Sequence, residues 1–175
     1  MPSPYLRAGV APRFAARQGG FTLVELITVI VILGVLAAVA LPRFANLGGS
    51  ARAAKVDAMA GSMRAAAALV KAQAIASSVS CGSASVTGGV TLEGQAIDLN
   101  FCYPQAVGGA VGILGAANID PTRDGFTATA GDVDPGDSIV LQSTGAATPA
   151  QCQITYTSPA AANGQASVVV VKTGC

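Results

Sequence analysis

The sequence predicts an α+β protein: a long N-terminal hydrophobic α-helix whose C-terminal half packs on a small antiparallel β-sheet. Three observations carry this. Residues 21–41 form a 21-residue run that is apolar except for two threonines, Glu25 and one glycine. A helical stripe continues beyond it to about Ser77. From there the composition shifts to Gly, Ser, Thr and Val, broken into short alternating segments.

As a helix, the apolar run would be about 31 Å long at 1.5 Å per residue, the thickness of a bilayer core. After Pro42 the residues Phe44, Leu47, Ala51, Ala54, Ala58, Met63, Ala66, Val70 and Ala74 recur at steps of three to five. Arg43, Arg52, Lys55, Asp57, Arg64 and Lys71 mostly fall off that stripe. The pattern is an amphipathic helix continuing the apolar one, from about Thr22 to about Ser77. Gly48-Gly49 and Pro42 are its weak points.

The candidate strands are Val90–Leu92, Ile97–Phe101, Phe126–Thr129, Ser138–Gln142, Gln153–Thr157 and Ser167–Lys172. Gln-Ile-Thr-Tyr-Thr alternates as a half-buried strand does, and Asn163-Gly164 signals a turn, so 152–158 and 166–172 read as a hairpin. The small, apolar stretch Gln105–Asn118 reads as one loose helix. A single sheet of three to five strands is expected.

Charged residues make up 11% of the 175-residue chain, about half the usual share for a soluble domain. Surface buried in a membrane or an assembly accounts for such a deficit. The net charge of +1 gives no field to draw in nucleic acid. Arg7, Arg13 and Arg17 precede Gly20 with no acid among them, so from Phe21 onward seven basic and nine acidic residues leave −2. With those arginines ahead of the apolar run, the positive-inside rule puts the N-terminus in the cytoplasm and everything after Pro42 across the membrane. There Cys81, Cys102, Cys152 and Cys175 meet an oxidising compartment. Four cysteines allow three connectivities. The expected one is Cys81–Cys102 with Cys152–Cys175, two loops of about 22 residues, each contributing about 3 kcal/mol on chain-entropy estimates.

The chain has no histidine, so catalysis through imidazole is excluded. It carries no nucleophile elbow, phosphate loop or dinucleotide fingerprint. No enzyme is expected. Asp132, Asp134 and Asp137, with Asp120 and Asp124 near in sequence, could supply oxygen ligands to calcium; beside Pro and Gly, such acids are more often turn formers. No other cofactor is expected.

The segment with functional content is Gln18-Gly19-Gly20-Phe21-Thr22-Leu23-Val24-Glu25-Leu26. A secretory signal has a shorter uncharged core, cut after it; here the run is longer, holds Glu25, and has its candidate cut site in front. An acid in a membrane helix costs about 2.5–3.5 kcal/mol on insertion scales, so Glu25 reads as functional. Glycine, then phenylalanine, then glutamate four residues on, inside an apolar run, resembles the class III signal of type IV prepilins and type II secretion pseudopilins. The resemblance implies cleavage between Gly20 and Phe21 by a prepilin peptidase, N-methylation of Phe21, and pairing of Glu25 with the terminal amine of a neighbouring subunit. It implies flexibility of the helix between Gly34 and Pro42, which pilins share.

Over residues 18–60 the likeness is strongest to mannose-sensitive haemagglutinin-type pilins, with Pro42-Arg43-Phe44-Ala45-Asn46-Leu47 and Cys102-Tyr103-Pro104 adding to it. The 20-residue leader is longer than the family's common ones. The domains expected are a cytoplasmic leader 1–20, a transmembrane and filament-core helix 21–42, and a globular head 43–175. The implied function is a major or abundant subunit of a type IV pilus. It would form a homo-oligomeric helical filament, held in the inner membrane as precursor and extracellular once assembled. An assembly ATPase, a platform protein and minor pilins would be its partners. The alternatives are a type II secretion pseudopilin and, from another class, a membrane-anchored monomeric adhesin.

Overall fold

The computed structural model describes residues 20–45 and 47–175. The leader through Gly19, and Asn46, lie outside the described residues. Two helices open the chain, α1 (Leu23–Ala45) and α2 (Leu47–Ala76). Their outer ends fall within a residue of the span read from periodicity. The chain divides after Arg43, and Phe44–Cys175 forms one compact unit.

Within that unit α2 supplies the backbone of the core. Its buried residues are Val56, Ala60, Met63, Ala66, Ala67, Val70 and Ala74. Apart from Ala66, the steps alternate four and three, so they fall on one face. The C-terminal part of the expected stripe is correct: Met63, Ala66, Val70 and Ala74 are buried. The N-terminal part is not. Phe44 and Leu47 are exposed, as are Ala51, Ala54 and Ala58, and the buried line runs through Val56 and Ala60 instead. Alanine is compatible with either face, so it carries little phase information. Val56, Met63 and Val70, seven apart, set the phase, each contributing about 1.5–3 kcal/mol on full burial.

Where one sheet was expected there are two. β1 (Val86–Leu92), β2 (Gln95–Asn100) and β3 (Tyr103–Pro104) form a three-stranded antiparallel sheet. β4 (Phe126–Thr129), β5 (Ser138–Ser143), β6 (Gln153–Thr157) and β7 (Ser167–Val171) form a four-stranded meander. In the meander Ile139 sits opposite Tyr156 and Leu141 opposite Ile154. Tyr156 and Ile154 face Val168 and Val170 in turn. These rows pack on Val56, Ala60, Met63, Ala66 and Ala67 of α2. Val70 and Ala74 instead meet Val90, Ile97, Leu99 and Cys102 of the smaller sheet. One helix thus serves two cores in succession.

The β6–β7 hairpin is as expected, but its turn is wider than Asn163-Gly164 alone implies: Gly164 N donates to Ala161 O at 2.8 Å within a nine-residue connection. The stretch Gln105–Asn118 is not one helix. Only α3 (Ile113–Ala116) is helical. Gly109 has φ +93°, and a Cβ on Gly115 would collide with the Ala110 carbonyl, so the segment folds back on itself. β3 was not legible, because its turn is Phe101-Cys102, both at positive φ (49° and 66°), where a reader looks for Asn-Gly.

A buried polar chain ties the smaller sheet to the β4–β5 connection. Gln105 Nε2 donates to Ser85 Oγ and Asn100 Oδ1, and Asn100 Nδ2 donates to Val133 O and Ser158 Oγ. Tyr156 Oη donates to Pro104 O at 2.7 Å, joining the two sheets directly. Burial, with Tyr103 as a lesser cause, holds that phenol well above its ordinary pKa.

Candidate functional site

The candidate site is the first turn of α1 and the residues ahead of it. Gly20 and Phe21 are exposed and outside any helix, and α1 begins only at Leu23. The Gly20–Phe21 bond is therefore exposed and non-helical. Thr22 and Glu25 form a capping box. Thr22 N donates to Glu25 Oε2 at 3.0 Å, and Glu25 N donates to Thr22 Oγ1 at 3.2 Å. Thr22 Oγ1 also donates to Glu25 Oε2 at 2.9 Å. This satisfies backbone donors that a helix start otherwise leaves open and places a carboxylate at the positive end of the macrodipole. The role of Thr22 was missed, although Thr-x-x-Glu ahead of an apolar run is its signal. The box gives the acid a role within the single chain.

Beyond the cap, α1 is exposed on every side. Leu26, Ile30, Leu33, Leu36 and Leu41 are 57–68% exposed, and the other large apolar residues of the run are similar. The helix is long and apolar enough to cross a membrane. Thr28 Oγ1 donates back to the Val24 and Glu25 carbonyls, so the hydroxyl adds no unpaired polar group to the apolar surface. Gly34 and Pro42 both lie within α1. A Cβ at Gly34 would meet nothing, so no neighbour in the chain demands a glycine there. Pro42 has no N–H to offer its preceding turn.

The four cysteines pair as Cys81–Cys102 and Cys152–Cys175, the connectivity expected. The second bond fixes the chain end beside the start of β6, where Arg52 Nε donates to Cys175 O at 2.8 Å. The aspartates considered for calcium are engaged in turns. Asp137 Oδ2 accepts from Asp132 N, Asp132 Oδ1 accepts from Val133 N, and Asp120 and Asp124 accept from backbone N–H groups of their own loop. Among the described residues no three His, Cys, Asp or Glu side chains are grouped to hold a metal ion.

Comparison with known proteins points to the same first turn. Residues 15–41 match the family described as the prokaryotic N-terminal methylation motif. The type IV narrow pilus major component PilA5 of Thermus thermophilus is 52% identical to the chain over 58 residues. The N-terminal segment is thus similar to that of type IV prepilins. The similarity covers 33% of the chain, and the chain spans about 50% of the length of that curated relative. No solved structure matches. Gly20, Phe21 and Glu25 all lie inside the matched motif.

Proposed function

We propose that this chain is a prepilin, a structural subunit of a type IV pilus. Prepilin peptidase cleaves it between Gly20 and Phe21 and methylates the new terminus, and the subunit polymerises through its N-terminal helix. The observation that carries this reading is α1: a capped helix with an apolar surface that the chain's own fold leaves uncovered. In water such a surface is unfavourable by about 25 cal/mol per Å². Lipid covers it in the precursor, and copies of itself cover it in a filament. The relative's printed description as a pilus component supports the same reading.

In this account the N-terminus is cytoplasmic and the disulfide-bonded head periplasmic until an assembly ATPase and a platform protein drive extraction. Minor pilins are further partners. Glu25 meets the amine of Phe21 on an adjacent subunit, and the helix between Gly34 and Pro42 yields as subunits pack. The decisive experiment is mass spectrometry and electron microscopy of material sheared from cells that express the chain. The expected result is fibres whose subunit begins at N-methylated Phe21. A mature chain that begins at Met1 or beyond Pro42, or that stays in the membrane without fibres, overturns it; the last outcome returns the monomeric anchor.

A further inference from the structure

Charge is segregated within the head. α2 carries four cations, Arg52, Lys55, Arg64 and Lys71, against one acid, Asp57. Beyond α2 there are seven acids and two cations. Among the described residues the only ion pair within 4 Å is Lys172 with Asp57 at 2.7 Å. The remaining charges make no ion pair within 4 Å among the described residues, so they are free to meet those of another copy.

The geometry narrows where. A groove of about 450 Å³ runs between α2 and the β7 edge of the meander, lined by Arg64, Ala68, Lys71, Ala72, Ile75 and Val168. Its walls are apolar, and Ile75 is 59% exposed. Its two cations lie seven residues, or about two turns, apart on one helix face. Both are held in place by neutral groups: Arg64 Nη2 donates to Val168 O at 2.9 Å, and Lys71 Nζ donates to Tyr103 Oη at 2.9 Å. Neither has a carboxylate partner among the described residues.

At the other side of the same sheet, the β4–β5 connection presents Asp132, Val133 and Asp134 to solvent. Val133 is 50% exposed, an apolar tip between two acids. Its backbone is fixed: Val133 O accepts from buried Asn100, and Asp132 is locked to Asp137. The loop is thus a preformed apolar knob with a negative rim, and the groove an apolar slot with a positive rim.

We propose that the groove between α2 and β7 receives the Asp132-Val133-Asp134 loop of a second copy of this chain. Val133 enters against Ile75, Ala72 and Val168, and the flanking aspartates face Arg64 and Lys71. Because groove and loop lie at different places on the subunit, the contact is head-to-tail and propagates along an open assembly instead of closing a dimer. The inference rests on the filament reading and adds the lateral contact that fixes which heads touch.

The test is a charge swap in the full chain, read as sheared filament relative to membrane subunit. Asp134→Lys and Lys71→Glu should each lower filament yield about tenfold, since each sets like charges face to face, and together they should restore it. Single variants at wild-type yield, or a double variant no better than the singles, overturn the contact while wild-type fibres leave the filament reading intact. Absence of wild-type fibres removes both. Should Lys71→Glu lower the membrane subunit itself, a photo-crosslinker at position 133 decides in wild-type background. An adduct to residues 64–75 of another copy upholds the contact, and an adduct elsewhere, or none, overturns it.

Discussion

Glu25 holds two possible duties, and they can be separated. In the single chain its carboxylate caps α1 through Thr22. In a filament it would neutralise a neighbour's terminal amine. Both charges of such a pair leave water, so its net stability is small and its use is register. Glu25→Gln keeps the capping geometry, because glutamine serves the same position, and removes only the charge. Thr22→Ala keeps the charge and loses the cap, at about 1 kcal/mol. The expected outcome is normal membrane insertion and leader cleavage for both, with sheared filament largely lost in Glu25→Gln and nearly preserved in Thr22→Ala, measured by immunoblot against membrane subunit. Equal losses would assign the acid to capping alone. The acid and its spacing from Gly20 were legible in the sequence because a charge in an apolar run has few explanations. The cap partner was equally legible, since Thr-x-x-Glu ahead of an apolar run is its signal.

At the scale of elements, α2 is the informative case. Its existence and length follow from composition, but its rotation about its axis does not, because twelve of its thirty residues are alanine. The buried line through Val56, Ala60 and Met63 gives a sharp expectation. Ala60→Glu puts a charge against Ile139 and Tyr156 in the larger core and should prevent the head from folding to its protease-resistant form. Ala58→Glu, two residues away and exposed, should change stability by no more than about 0.5 kcal/mol. Limited proteolysis of the two variants reads the phase directly; resistance in Ala60→Glu would mean that the expected stripe through Ala58 was right after all. The strands were largely placed by period-two alternation. β3 and the start of β1 escaped it. β3 has only two residues. β1 carries Gly88-Gly89 at a register shift, where Gly88 N donates to Asp98 Oδ1 at 2.6 Å. Neither feature leaves a periodic trace.

For the molecule as a whole, the head depends on joints between its two sheets. Tyr156 supplies one from a fully buried position. Tyr156→Phe keeps the packing and leaves the Pro104 carbonyl without its donor, which costs about 1–3 kcal/mol. The wild-type phenol also makes stability depend on alkaline pH. Its folded pKa is raised, so its contribution is complete below the unfolded value near 10 and is lost as pH rises above that. Thermal unfolding of the full chain in detergent, from pH 8 to 11, should show a lower midpoint for Tyr156→Phe at pH 8 and a shallower alkaline decline. Parallel declines would assign the alkaline loss to other groups.

The sequence alone determined the apolar helix, the acid inside it, the segment that resembles a prepilin signal and most strand segments, and it led to the expected disulfide pairing. Each is local, or depends on a period or a loop length that survives without coordinates. Only the tertiary structure decided that the strands divide into two sheets and which face of an alanine-rich helix is buried. These depend on which distant residues share a core, and alanine and glycine, abundant here, carry too little side chain to announce it.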